Sequence, residues 1–245
     1  YDGFADRFVI PADIQAKFVS SHETQHCSVQ AFKVCNLGAN DAQAVTKVAV
    51  LGDSHALAMG FALERLGKQQ AIQFIQIADS ACPPLLNVPV HNAHQDIHYC
   101  ERLAAFQYDY LKNHADIKQV FWIAKWASYT DGNYVGSQLN ALGEPQALDH
   151  SRSVFKSAVE YTAQQYAALG LKPIVLLQVP QQLSDVKHIY YRLYNDKLKP
   201  EMWPTLLARY SVPFSRHQNL QAYNRQVFAA AAQRDLLTFI NPDPL

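Results

Sequence analysis

From Lys47 onward the chain repeats one pattern: a short apolar run bounded by turn residues, then a longer stretch with helical spacing. The runs cover residues 48–51, 72–77, 120–124, 174–179 and 236–240. Between them lie 55–66, a segment near 101–113, 152–169 and 220–234, which read as helices, with Gly170 ending the third. Short apolar runs of this kind are buried strands. Consecutive parallel strands cannot be joined by hairpins, so a helix between each pair implies crossover connections and a parallel sheet. The expected fold class is α/β, a three-layer α/β/α domain over residues 47–245 with a mainly parallel, five-stranded, flavodoxin-like sheet. Residues 1–46 read as an irregular N-terminal extension packed on it.

Composition narrows the function classes. The chain has 245 residues, and 21 Lys and Arg balance 21 Asp and Glu without a basic cluster, which argues against nucleic acid as a partner. No apolar stretch is long enough to cross a bilayer, and Tyr1 is not a translation start, so a soluble piece of a larger protein is expected. Four cysteines permit three pairings, and their spacing favours Cys27 with Cys35 and Cys82 with Cys100. Two such staples in loop-like segments point to an oxidising compartment.

Gly52-Asp53-Ser54-His55 stands where the first strand meets the first helix. Gly52 lets the chain turn sharply, Asp53 can accept hydrogen bonds from loop amides, and the unpaired N–H groups at a helix start face any oxyanion forming beside Ser54. In open parallel sheets the ligand crevice lies at the carboxyl ends of the strands, and Ser54 falls there with residues 79–84, 125–134 and 180–188. The reading makes Ser54 a nucleophile that needs a histidine base oriented by a carboxylate. His55 is expected to pack or to bond the loop rather than to act as that base.

A metal site is the rival from another chemical class. His91, His94, Asp96, His98 and Cys100 crowd residues 91–100, but no second cluster supplies partners and Cys100 suits a disulfide, so no metal is expected. Residues 181–215 form a long insertion, containing Tyr190, Tyr191, Tyr194 and Trp203, suited to a lid or binding wall.

The sequence from about Cys27 to the C-terminus resembles the SGNH, or GDSL-like, hydrolase superfamily. More closely, it resembles the SGNH domain fused to membrane acyltransferase-3 proteins that O-acetylate bacterial surface glycans. The resemblance rests on Val50-Leu51-Gly52-Asp53-Ser54-His55-Ala56, Ala81-Cys82-Pro83-Pro84-Leu85, Cys100, Ile123-Ala124-Lys125-Trp126 with Tyr129, and Cys35-Asn36-Leu37-Gly38. It implies a serine-dependent O-acyltransferase working through an acyl-Ser54 intermediate on O-antigen, peptidoglycan or another surface polysaccharide. The domain itself would bind no cofactor. Acetyl-CoA would be the ultimate donor, through a membrane domain in the same protein, with this domain on the periplasmic side of the inner membrane. A carbohydrate O-acetylesterase and a non-catalytic glycan-binding or docking module are the alternatives.

Two departures from the superfamily pattern bear on the site. An Asp-x-x-His motif usually follows the last strand, whereas this sequence ends at Asn241-Pro242-Asp243-Pro244-Leu245, so the catalytic Asp and His are expected beyond Leu245. The in-chain alternative is Asp185 with His188. The usual Gly after the second strand and Asn after the third are replaced by Asp79-Ser80-Ala81 and Lys125-Trp126-Ala127. Oxyanion donors are then expected from the N–H groups of Ser54, Ser80 and Ala81, and Trp126 and Tyr129, with Tyr134, are the candidates for stacking on sugar rings.

Overall fold

The computed structural model describes residues 32–92, 96–132, 141–143, 147–181, 189, 193 and 199–243. The chain divides into two compact units, one of residues 25–179 with 220–245 and one of residues 1–24 with 180–219. In the larger unit the strands are β1 (Cys35–Gly38), β2 (Thr46–Gly52), β3 (Ile72–Ala78), β4 (Val90–His91), β5 (Ile117–Ile123), β6 (Ala141–Leu142), β7 (Pro173–Leu176) and β8 (Thr238–Ile240). Its helices are α1 (Ser54–Ala58), α2 (Gly60–Gln70), α3 (Tyr99–Lys112), α4 (Ala127–Thr130) and α5 (Leu148–Ala168). In the smaller unit lies α6 (Trp203–Tyr210), and α7 (Phe214–Gln233) begins there and ends in the larger unit.

The main sheet has the order β1-β3-β2-β5-β7-β8, with every neighbouring pair parallel except β1 with β3; β4 and β6 form a separate antiparallel pair. Successive side chains of a strand point to opposite faces, and here both faces are apolar. Ala49 and Leu51 of β2 join Ile75, Ile77, Val120, Trp122 and Val175 in one core with Leu103 of α3, Phe155 and Val159 of α5 and Phe228 of α7. On the other side Val48 and Val50 join Phe74 and Ile123 against Ala56 of α1 and Leu63 of α2. Each such large side chain, taken fully out of water, contributes roughly 1.5–3 kcal/mol, so the two-sided burial holds the central strands rigidly. The five parallel strands and the flanking helices are those expected from the alternation.

Several local readings change. The boundary expected at residue 47 is not a structural one, because Cys35–Gly38, from the supposed extension, pairs antiparallel with β3 at the sheet edge. The helix read over 55–66 is two helices: the Ala56 carbonyl accepts from Met59 N at 3.1 Å and from the buried Gln76 Nε2 at 2.7 Å, which diverts the acceptor a continuous helix would use. Phe61 is exposed, and Leu63 and the flanking glycines face inward instead. Gly67 lies within α2 and lets the helix approach the sheet, since a Cβ there would lie 2.6 Å from Gly38 Cα.

Cys82 and Cys100 form a disulfide, tying the loop after β3 to the first turn of α3. Cys35 is also disulfide-bonded, and its expected partner Cys27 lies outside the described residues.

Gly52 ends the central strand with φ +153°, and a Cβ built on it would stand 1.7 Å from the Ile123 carbonyl oxygen. Neither the backbone of β5 nor the turn can yield that distance. Gly52→Ala is therefore expected to lose at least about 3 kcal/mol of unfolding free energy in urea titrations, or to fail to fold.

Candidate active site

β2 leads to β3 on one side, and the chain then crosses back to β5 on the other side of β2. That reversal makes the carboxyl ends of β2 and β5 the topological switch point, the place at which open α/β sheets bind ligands. Ser54 stands there, directly after β2, with its side chain exposed to solvent. It is neither sealed in the core nor at the margin of the sheet.

Asp53 organises the turn. It is 1% exposed and caps α1, with Oδ1 accepting from His55 N at 2.8 Å. Its Oδ2 accepts from Lys125 N and from the Tyr129 hydroxyl, both at 2.8 Å. One buried carboxylate thus holds the Ser54 turn, the segment after β5, and α4. Burial raises the Asp53 pKa, and the charge of His55 with these three donors opposes the shift. Burial, and behind it Asp53, keep the Tyr129 phenol protonated and therefore a donor. The half-buried His55 is held below the usual histidine range chiefly by burial; Asp53 opposes this and Lys125 adds to it.

The neighbouring loop is built on a second carboxylate. Asp79 N donates to Gly52 O at 3.2 Å, continuing the β2–β3 ladder past the strand ends. Its Oδ1 takes Ser80 N at 2.7 Å, and its Oδ2 takes the Tyr99 hydroxyl. Ala81 follows in the left-handed region at φ +57°, and its carbonyl accepts from Asn92 Nδ2 at 2.9 Å. The disulfide then fixes Cys82.

The three expected oxyanion donors are therefore unequal. The Ser80 N–H is taken by Asp79 and drops out, whereas the Ser54 and Ala81 N–H groups make no hydrogen bond among the described residues. With α1 only five residues long, the macrodipole expected from a full helix is reduced to the local N–H groups of its first turn.

The aromatic residues assigned to sugar stacking are corrected. Trp126 is fully buried, with ring contacts to Phe228 at 5.0 Å and Phe155 at 6.2 Å, and its Nε1 donates to Leu176 O at 2.8 Å. Tyr129 is fully buried too, and its hydroxyl is committed to Asp53. Neither ring has a face open to a ligand. Tyr134, Asp185 and His188 lie outside the described residues.

In the rival metal segment, Cys100 is in the disulfide, His98 Nδ1 contacts Glu101 at 2.7 Å, and Asp96 pairs with Arg102 at 2.7 Å. His94 lies outside the described residues, among which no group of three metal-ligating side chains converges.

Sequence reasoning did not single out Lys125 and Tyr129 as partners of Asp53. The adjoining residues Lys125-Trp126 were visible as the end of a strand, but the contact depends on the β2–β5 register that pairs Gly52 with Ile123.

Two variants test this framework. Asp53→Asn replaces an acceptor oxygen by an amine facing Lys125 N and the Tyr129 hydroxyl or His55 N, and is expected to cost about 1–3 kcal/mol of stability in denaturant titrations. Tyr99 is pushed up to about 12, by burial first and then by its bond to Asp79. Its unfolded value is near 10, so its contribution is fully present below about pH 10 and is lost as pH rises towards 12. Unfolding midpoints measured across that window should fall less steeply in Tyr99→Phe than in the wild type.

A search of curated proteins finds no match to this chain. A family model described as "SGNH domain (fused to AT3 domains)" matches residues 20–245, a span that contains the whole six-stranded sheet, both carboxylate-built loops and Ser54. With a mostly parallel sheet, flanking helices and a serine at the switch point, the chain belongs to the family of SGNH domains fused to AT3 domains, a hydrolase-fold acyl-transfer or esterase-type module.

Proposed function

We propose that this domain is a serine-dependent O-acyltransferase, carrying an acetyl group on Ser54 and passing it to a hydroxyl of a bacterial surface glycan. The observation that carries the proposal is the presentation of Ser54: an exposed hydroxyl at the switch point, on a turn fixed by Gly52 and the buried Asp53. A mobile or buried serine would not serve. Ser54 Oγ attacks the acyl carbonyl, its proton passes to a histidine base, and the negative oxygen is met by the Ser54 and Ala81 N–H groups. Collapse of the tetrahedral species expels the donor, to which the histidine returns the proton, and leaves the Ser54 ester. An acceptor hydroxyl, deprotonated by the same base, repeats the steps in reverse. The base is assigned to an Asp-x-x-His pair following β8, with Asp185 and His188 as the second choice.

The family's AT3 fusion supports a membrane acyltransferase domain in the same protein, and among the described residues no helix is long and apolar enough to cross a membrane. The proposal therefore places this domain outside the bilayer, on the periplasmic side, receiving acetyl groups that originate in cytoplasmic acetyl-CoA. A disulfide in the domain fits that compartment.

The exposure of Ser54 favours a second reading, because an acyl ester open to solvent can also be removed by water. The domain then acts as an O-acetylesterase. Both readings need the serine. Ser54→Ala in the full-length protein is expected to reduce glycan acetylation at least about 1,000-fold without lowering the unfolding midpoint. Unchanged acetylation would remove Ser54 from its role. In the wild type, the ratio of acetylated acceptor to free acetate, measured at rising acceptor concentration, separates transferase from esterase.

A further inference from the structure

Among the described residues, Lys125 is a cation whose backbone the β2–β5 register brings to the Ser54 turn. Gly52 pairs with Ile123, so Lys125 lies two residues past the end of β5, as Ser54 lies two past Gly52. Its backbone is clamped from both sides: its N–H donates to Asp53 Oδ2 at 2.8 Å, and its carbonyl accepts from Ser128 N at 2.8 Å. The side chain is half-buried, yet among the described residues its ammonium forms no ion pair or hydrogen bond. Asp53 does not neutralise it by contact, because the carboxylate is committed to the His55 and Lys125 amides and the Tyr129 hydroxyl.

Among the described residues this half-buried cation has no counter-charge. The position makes sense when negative charge arrives beside it, and its field already reaches the ring of His55, the residue next to Ser54. Meanwhile the local set of neutral donors is depleted. Ser80 N–H is spent on Asp79, which leaves the Ser54 and Ala81 N–H groups.

We infer that Lys125 is a catalytic residue, whose ammonium contacts the oxyanion formed at Ser54 and supplies the stabilisation that a third neutral donor would otherwise give. This rests on the acyl-Ser54 reading. As the Oγ–C bond forms, the carbonyl π pair moves to oxygen and the serine proton goes to the histidine base. Lys125 keeps its proton throughout, holding the negative oxygen by charge and hydrogen bond. The C–O bond to the leaving group breaks as that pair returns, and the histidine hands its proton to the departing oxygen. The gain is specific to the transition state, because the neutral ground-state carbonyl attracts an ammonium far less than the oxyanion does.

The test is hydrolysis of 4-nitrophenyl acetate by the wild type, Ser54→Ala, Lys125→Met, Lys125→Arg and Lys125→Cys before and after aminoethylation. The expected result is a Ser54-dependent rate whose kcat falls about 100-fold in Lys125→Met while KM stays within about threefold. Lys125→Arg and the aminoethylated cysteine variant should recover at least a tenth of the wild-type rate. A lysine that braced the loop only through its aliphatic stem would be replaced by Met without loss of rate. A Ser54-dependent rate unchanged in Lys125→Met overturns this inference alone. So does a defect confined to KM, or one that appears only with acidic acceptors, which would make Lys125 an anchor for the acceptor. Equal rates for the wild type and Ser54→Ala would remove the serine reading and this inference with it.

Discussion

The carboxylate of Asp53 is the point on which the site depends. The Ser54 turn, the segment after β5 and α4 meet at the same rim of the sheet. Asp53 sits beneath them and accepts from one amide of the nucleophile turn, one amide after β5 and the hydroxyl of α4. Burying a carboxylate is costly, and these three donors at 2.8 Å are what offsets it. The arrangement is cooperative: removing any one donor leaves charge less well compensated and loosens the others. Ser54 inherits its position from this network although its own hydroxyl takes no part in it.

Beneath the network lies a steric requirement. The ends of β2 and β5 approach so closely at Gly52 and Ile123 that only a glycine fits, and this closeness brings Lys125 N within reach of Asp53. A second carboxylate, Asp79, repeats the device on the β3 side, with Tyr99 as its hydroxyl partner. Ser54 therefore lies between two carboxylate-anchored loops. Their rigidity matters for chemistry because donors aimed at a transient charge are effective only when they need not reorganise as it forms.

Much of this architecture was legible in the sequence. Residues buried on both faces of a parallel sheet must be apolar in succession, so β2, β3 and β5 announce themselves as runs such as Val48-Ala49-Val50-Leu51. β1 does not, because Cys-Asn-Leu-Gly is an edge strand with alternating burial and no run to read. The Gly-Asp-Ser turn was visible from its place between strand and helix. The fate of Trp126 and Tyr129 was not: an aromatic residue after a strand can face a crevice or turn back into the core, and the short α4 directs both inward. The division of labour among Ser54, Ser80 and Ala81 was equally invisible, since it depends on which amide the Asp79 side chain captures. Contacts between residues more than 70 positions apart, such as Tyr129 to Asp53, follow from register rather than from local pattern.

The central claim is that a fixed, exposed Ser54 carries the acyl group. Peptide mapping by mass spectrometry of the full-length protein, quenched in acid during turnover with its acetyl donor, tests this most directly. An acetyl ester is expected on the peptide containing Ser54, formed during turnover and discharged when acceptor glycan is added. An acetyl group found on another residue, or turnover with no covalent acetyl on Ser54, would contradict it.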